Sequence, residues 1–349
     1  IGVCKSGLET CSNGVWGKCA GQVTPTKENC SDKLDNDCNG KTDDCNITEL
    51  ATASWDPLAR IKVWGLPALT TKRTLGSDHT DTVYGLAYSH DGKYLASCGH
   101  DKQVILRDAS GGKTIWKKTD HTQAVYGLVF HPDNKRILSA GGDSAARLWD
   151  VATGKSIKVG SHPSPIYTLA LSPTGNIAAV ASGNDVYLWD LGAAGATPKA
   201  YKFPKLSGHT LNIYSVAFHP SGTILASGSG DKTVILWDLK TGKKLQTLTG
   251  PTKNIAAVAF SPTGTTLAVG SSDETLTIWT IAGTKATLTK TLKYTNSGAY
   301  YSLAFHPQNT HLASGTYKNV VLIWNISTGK VTKVLKGHSG PISAISYRK

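Results

Sequence analysis

From about residue 50 onward the chain is written in short apolar runs broken by Gly, Asp, Pro and Ser. ILASGS (224–229) is followed by the tight turn GDKT and then VILWD (234–238). The same order of run, turn and run returns again and again. Apolar and small residues alternate with a period near two, and no stretch carries the 3.6-residue spacing of an amphipathic helix. The pattern predicts an all-β chain of short strands joined by tight turns.

The runs are in phase. VILRD (104–108), ARLWD (146–150), VYLWD (186–190), VILWD (234–238), LTIWT (276–280) and VLIWN (321–325) align, with IKVW (61–64) near the start. Their marker positions, 64, 107, 149, 189, 237, 279 and 324, lie 40 to 48 residues apart, which is the signature of a repeat architecture. One such dipeptide says little; seven in register say a great deal. Residues 50–349 resemble the WD-repeat β-propeller family. The resemblance implies seven four-stranded antiparallel blades around a channel. The C-terminal GHSGPISAISYRK begins a blade that LATASWDPLARIKVW completes, so residues 50–64 and 337–349 are expected to close the ring together.

A His, a Ser and an Asp stand 28, 10 and 6 residues before several markers: His121, Ser139, Asp143 before Trp149, and His209, Ser227, Asp231 before Trp237. A Ser–His–Asp triplet invites a hydrolase reading. Recurrence argues otherwise, because a nucleophile is needed once and a tie is needed in every blade. The family resemblance implies bonding within each blade, and in the closing blade it implies that His338 reaches Thr52, Asp56 and Trp64. Several positions depart from the pattern: Arg107 for Trp, Pro251 and Asn296 for His, Val269 and Ala179 for Ser, Lys318 for Asp.

The resemblance also implies a partner-binding top face. Its inner-strand rim position reads Tyr84, Tyr126, Tyr167, Tyr214, Ala256, Tyr301 and Ser343, and tyrosine is a common interface anchor. A second rim position is small at Gly142, Gly230 and Ser272 but large at Trp55, His100 and Tyr317, in three adjacent blades. These eight large side chains are the expected docking residues for a protein or peptide. The opposite face carries Lys113, Lys155, Lys243 and Lys330 in Gly-Lys turns, expected to be solvated.

The first 46 residues break this pattern. Cys4, Cys11, Cys19, Cys30, Cys38 and Cys45 are packed into a segment with one Trp and few aliphatics, and Cys98 stands apart. Six closely spaced cysteines without a C-x-x-C pair predict three disulfides of undetermined pairing and an exported chain, extracellular, cell-surface or periplasmic. The spacing is similar to that of MopE-like cysteine- and aspartate-rich metal-binding modules of secreted bacterial proteins. Asp35, Asp37 and Asn39 followed by Gly40 repeat the start of a calcium loop, with Lys41 offering its carbonyl and Asp43 and Asp32 as further ligands. Calcium is the expected ion. The expected domains are therefore a disulfide-stapled module over 1–47 and a propeller over 48–349. The chain begins at Ile1 and contains no Met, which suggests processing of a longer precursor.

The formal net charge is +13, yet 31 of the 37 basic residues are Lys, whereas base and phosphate readers favour the planar fork of Arg. Nucleic acid is not expected as a partner, and no run is long and apolar enough for a membrane helix. The expected function is a non-enzymatic exported scaffold. An exported propeller enzyme with a site in the channel mouth, or a glycan-binding adhesin, is the alternative.

Overall fold

A computed structural model describes residues 48–56, 61–76 and 78–348. The cysteine- and aspartate-rich segment, with the disulfide and calcium expectations attached to it, lies outside the described residues. Those residues form seven four-stranded antiparallel sheets in one compact unit, Glu49–Arg348, with no helix among them. Six blades are continuous in sequence, spanning 83–118, 125–161, 166–207, 213–248, 255–292 and 300–335, numbered here one to six.

The closing blade takes Ile342–Arg348 from the C-terminal side as its innermost strand and Glu49–Ser54, Ile61–Gly65 and Thr70–Leu75 as the outer three. Its seam is an antiparallel ladder running from Glu49 opposite Arg348 to Ser54 opposite Ile342. Closure by both ends is as the repeat count implied, with one strand from one end and three from the other.

Burial explains the composition of the strands. Each second strand is covered on both faces by neighbouring blades, and residues such as those of ILASGS are buried throughout. Small side chains are required there: a Cβ on Gly228 would stand 2.5 Å from Ile255 of the next blade. The apolar core is accordingly divided between blades rather than within them. Each of seven clusters joins two neighbours, and the last two join the closing blade to blades six and one. A blade alone cannot bury its faces, so stability is shared with its neighbours around the ring.

Candidate functional site

In blades two and four the repeated polar set forms a linear relay. Trp149 Nε1 donates to Ser139 Oγ (2.7 Å), which meets His121 Nε2 (2.8 Å), while His121 Nδ1 lies 2.9 Å from Asp143. Trp237, Ser227, His209 and Asp231 repeat it at 2.8 Å for each link. Because the indole N–H occupies the serine oxygen, the serine hydroxyl is left to donate to Nε2, which puts the imidazole proton on Nδ1, facing the carboxylate. The order resembles a hydrolytic triad, but Ser139 and Ser227 are fully buried. They tie the loop, the second strand and the marker strand together.

The departures are repaired in different ways. Arg107 takes the place of the indole, donating to Ser97 Oγ (2.7 Å) and pairing with Asp78 (3.1 Å), and His79 still bridges Ser97 and Asp101. In blade three the serine position falls on Val180 and not on the expected Ala179, because the turn to the marker strand is one residue shorter, and Trp189 donates directly to His162 Nε2 (3.1 Å). Where Val269 removes the hydroxyl, Trp279 turns to Thr277 (3.0 Å). In the closing blade His338 reaches Thr52 (2.8 Å), which accepts from Trp64, as expected; its Nδ1 meets Ser54 (2.9 Å), and Asp56 acts on it through charge. The family pattern could not show Ser54 in this role, since the matching Ser182, Ser229, Ser271 and Thr316 of other blades donate to backbone carbonyls and not to an imidazole.

The imidazoles of His79, His121 and His338 are held neutral. Burial lowers the pKa of His79 and His121, against the opposing pull of Asp101 and Asp143, and brings that of His338 to about 4. In the unfolded chain a histidine titrates near 6.5. Stability from a depressed histidine is therefore complete above about pH 6.5 and is lost as pH falls toward 4, by at most about 3 kcal/mol for His338. The urea midpoint is expected to drop across this window, and less steeply in a His338→Asn variant. Equal slopes in the two proteins would contradict the assignment.

The channel mouth carries the second constellation. In every blade the register slips by one residue between the first and second strands. The skipped residues are Tyr84, Tyr126, Tyr167, Tyr214, Ala256, Tyr301 and, in the closing blade, Ser343. A bulge frees a residue from the ladder and re-aims its side chain, and all seven of these residues line one cavity of about 470 Å³. Tyr84, Tyr126, Tyr167 and Tyr214 run ring to ring at 5.3, 5.3 and 5.6 Å. Burial raises the pKa of Tyr84, Tyr167 and Tyr301, so the phenols stay neutral donors.

Two breaks interrupt the ring of tyrosines. Asn254, Ala256 and Ser272 form a small, polar break. At Ser343 the break is filled by Trp55, whose ring lies 5.0 Å from Tyr301, itself 6.2 Å from Tyr317. The backbone holds these two in place. Trp55 N donates to Pro341 O (2.8 Å), and Gly340 passes so close that a Cβ would lie 2.4 Å from the Trp55 carbonyl. Gly298, at φ +64, packs against the Tyr317 side chain. His100 stands edge-on to Tyr84 (6.1 Å) and pairs with Asp81 (2.7 Å). The eight expected residues thus meet in an aromatic crescent that reaches beyond the three blades around the closure. No charged side chain is among those lining the cavity.

Cys98 is free and fully buried beneath Gly85, its thiol pushed up by desolvation. The described residues contain no cluster of three or more metal-ligating side chains and no helix long and apolar enough to cross a membrane.

Seven in-phase sheets, two of them tied by the full set of indole, hydroxyl, imidazole and carboxylate, define a WD-repeat β-propeller. The chain belongs to the family described as IFT122 first beta-propeller, whose profile matches residues 165–349, and residues 70–108 and 112–150 match the WD domain, G-beta repeat. It is also similar to DDB1- and CUL4-associated factor 13 of Dictyostelium discoideum, with 38% identity over 58 residues. That match takes in 17% of this chain and 12% of the relative, so the likeness spans a small part of that protein.

Proposed function

We propose that this chain is a non-enzymatic scaffold that docks a protein or peptide on the aromatic mouth of its propeller. The observation that carries the reading is the bulge in each blade, which turns five tyrosines into one uncharged cavity beside the exposed rings of Trp55 and Tyr317. Tyr and Trp give large contact area with few rotors to freeze and a polar tip to satisfy, which suits a binding centre. WD-repeat membership supports protein partners. Two further parts of the reading rest on sequence alone: an exported location, from the clustered cysteines, and a calcium-stabilised N-terminal module, from Asp32, Asp35, Asp37, Asn39, Lys41 and Asp43.

Affinity capture from native extract, with wild type beside a Trp55→Ala, Tyr126→Ala, Tyr317→Ala variant, tests the docking surface. The variant is expected to melt within a few degrees of wild type, because Trp55 and Tyr317 are exposed. It should retain less than a tenth of the specific partner, since one truncated hot spot costs about 2 kcal/mol or more. Equal capture by the two proteins would overturn the proposal.

A further inference from the structure

The outermost strands, which form the circumference of the ring, have a charge pattern that the top-face reading does not use. They read TTKRTL, TIWKK, SIKVGS, KAYKFPKLS, KKLQTL, KATLTKTL and KVTKVL. Each carries Lys or Arg, and none carries Asp or Glu. Protection of an exposed strand edge from pairing with another chain explains charge at these positions, but either sign would serve. In this chain the acids go largely to tight turns, where Asp oxygens cap backbone N–H groups, as Asp108, Asp150 and Asp238 do. The circumference is left with one sign.

Part of this charge is neutralised locally. Lys72 and Arg73 pair with Glu49, and Lys205 pairs with Asp185. Lys158, Lys199, Lys244 and Lys285 are exposed and make no ion pair among the described residues. Hydroxyls alternate with the lysines, as at Thr247, Thr287 and Thr332.

We propose that this lysine girdle binds a linear anionic polysaccharide along the outside of the ring, separately from the mouth. A flat anionic surface could touch only a few blades at once, whereas a flexible chain can follow the circumference. The girdle also lacks what reads nucleic acid: its one arginine, Arg73, is committed to Glu49, and the Trp116 indole donates to Val151 O (2.8 Å). Point charges interleaved with hydroxyls suit carboxylate or sulfate groups on a sugar chain.

Heparin serves as the probe, with single-stranded DNA of equal charge as a second arm, and the full chain is titrated with each at several salt concentrations. Wild type should bind heparin at about 0.15 M salt and lose affinity as salt rises, with a slope that reports the charges engaged. A Lys158→Glu, Lys199→Glu, Lys244→Glu, Lys285→Glu variant keeps charged edges and should match the wild type in oligomeric state and melting temperature. Its heparin affinity should fall at least tenfold, with a shallower slope. Three results would overturn the proposal: no binding by wild type at that salt, an unaltered variant, or tighter binding to DNA than to heparin. A Lys113→Glu, Lys155→Glu variant in the turns serves as the control; if only this one lost binding, the site would be on the far face and the girdle assignment would be wrong.

Discussion

A chain lacking residues 342–348 is expected to melt on the order of 10 °C lower than the full chain, or to be recovered only as aggregate. The segment is the innermost strand of the closing blade, and Ile342, Ala344 and Ile345 are buried in the two interfaces on either side of it. Burying one aliphatic side chain contributes about 1.5–3 kcal/mol, and Leu50, Val83 and Ala313 would be uncovered with the deletion. Cross-ties to the first blade would go too: Ser343 Oγ donates to Val83 O (2.6 Å), and Tyr88 N donates to Ser346 Oγ (3.0 Å). The loss therefore comes to at least about 5 kcal/mol, and each kcal/mol moves the melting point of a domain this size by about 2 °C. Differential scanning fluorimetry of the two proteins settles the matter. A melting point within 2 °C of the full chain would mean that the ring does not depend on this seam.

The repeat makes most of this fold legible in the sequence. A strand–turn–strand unit that recurs in phase fixes blade number, strand order and the halves of the closing blade, because periodic signals add from copy to copy. The rim tyrosines were found for the same reason, each at the same place in its repeat. The bulge that turns them into the mouth left no mark of its own, since a one-residue slip of register changes partners without changing composition. Features that occur once were not legible. Arg107 could be seen as a departure, but its bonds to Ser97 and Asp78 could not, since the matching carboxylate of blade two, Asp120, accepts from Ser156 instead. Ser54 as a partner of His338 is likewise a contact across 284 residues, set by the seam itself.

Glu49 is the clearest residue of this second kind, and its loss carries the other large expected effect. It begins the second strand of the closing blade and is wholly buried, where a lone carboxylate would be costly. Arg73 grips both its oxygens (2.9 and 2.8 Å), Lys72 adds a contact at 2.8 Å, Arg348 from the last strand one at 3.2 Å, and the Tyr88 hydroxyl donates at 3.2 Å. Burial opposes the charge, but the hydrogen bonds from Lys72 and Arg73 and the charges of Arg73 and Arg348 outweigh it and keep the pKa below its usual value. The two guanidiniums also donate to the carbonyl of Ala109, and Arg348 donates to that of Gly92 (2.7 Å), so one carboxylate joins both segments of the closing blade to the first blade. Replacing it by Gln leaves two half-sequestered guanidiniums without their counter-charge. Breaking a buried pair from one side costs about 3–5 kcal/mol. Glu49→Gln is therefore expected to lower the melting temperature by about 6–10 °C. A Glu49→Leu, Arg73→Leu, Arg348→Leu triple variant should recover part of that, because replacing the sequestered charges by apolar groups, with the half-exposed Lys72 left to solvent, removes the desolvation cost together with the attraction. A single variant that lost less than about 1 kcal/mol, or a triple variant less stable than the single one by the sum of its parts, would show that the carboxylate is a surface-type pair and not the lock of the ring.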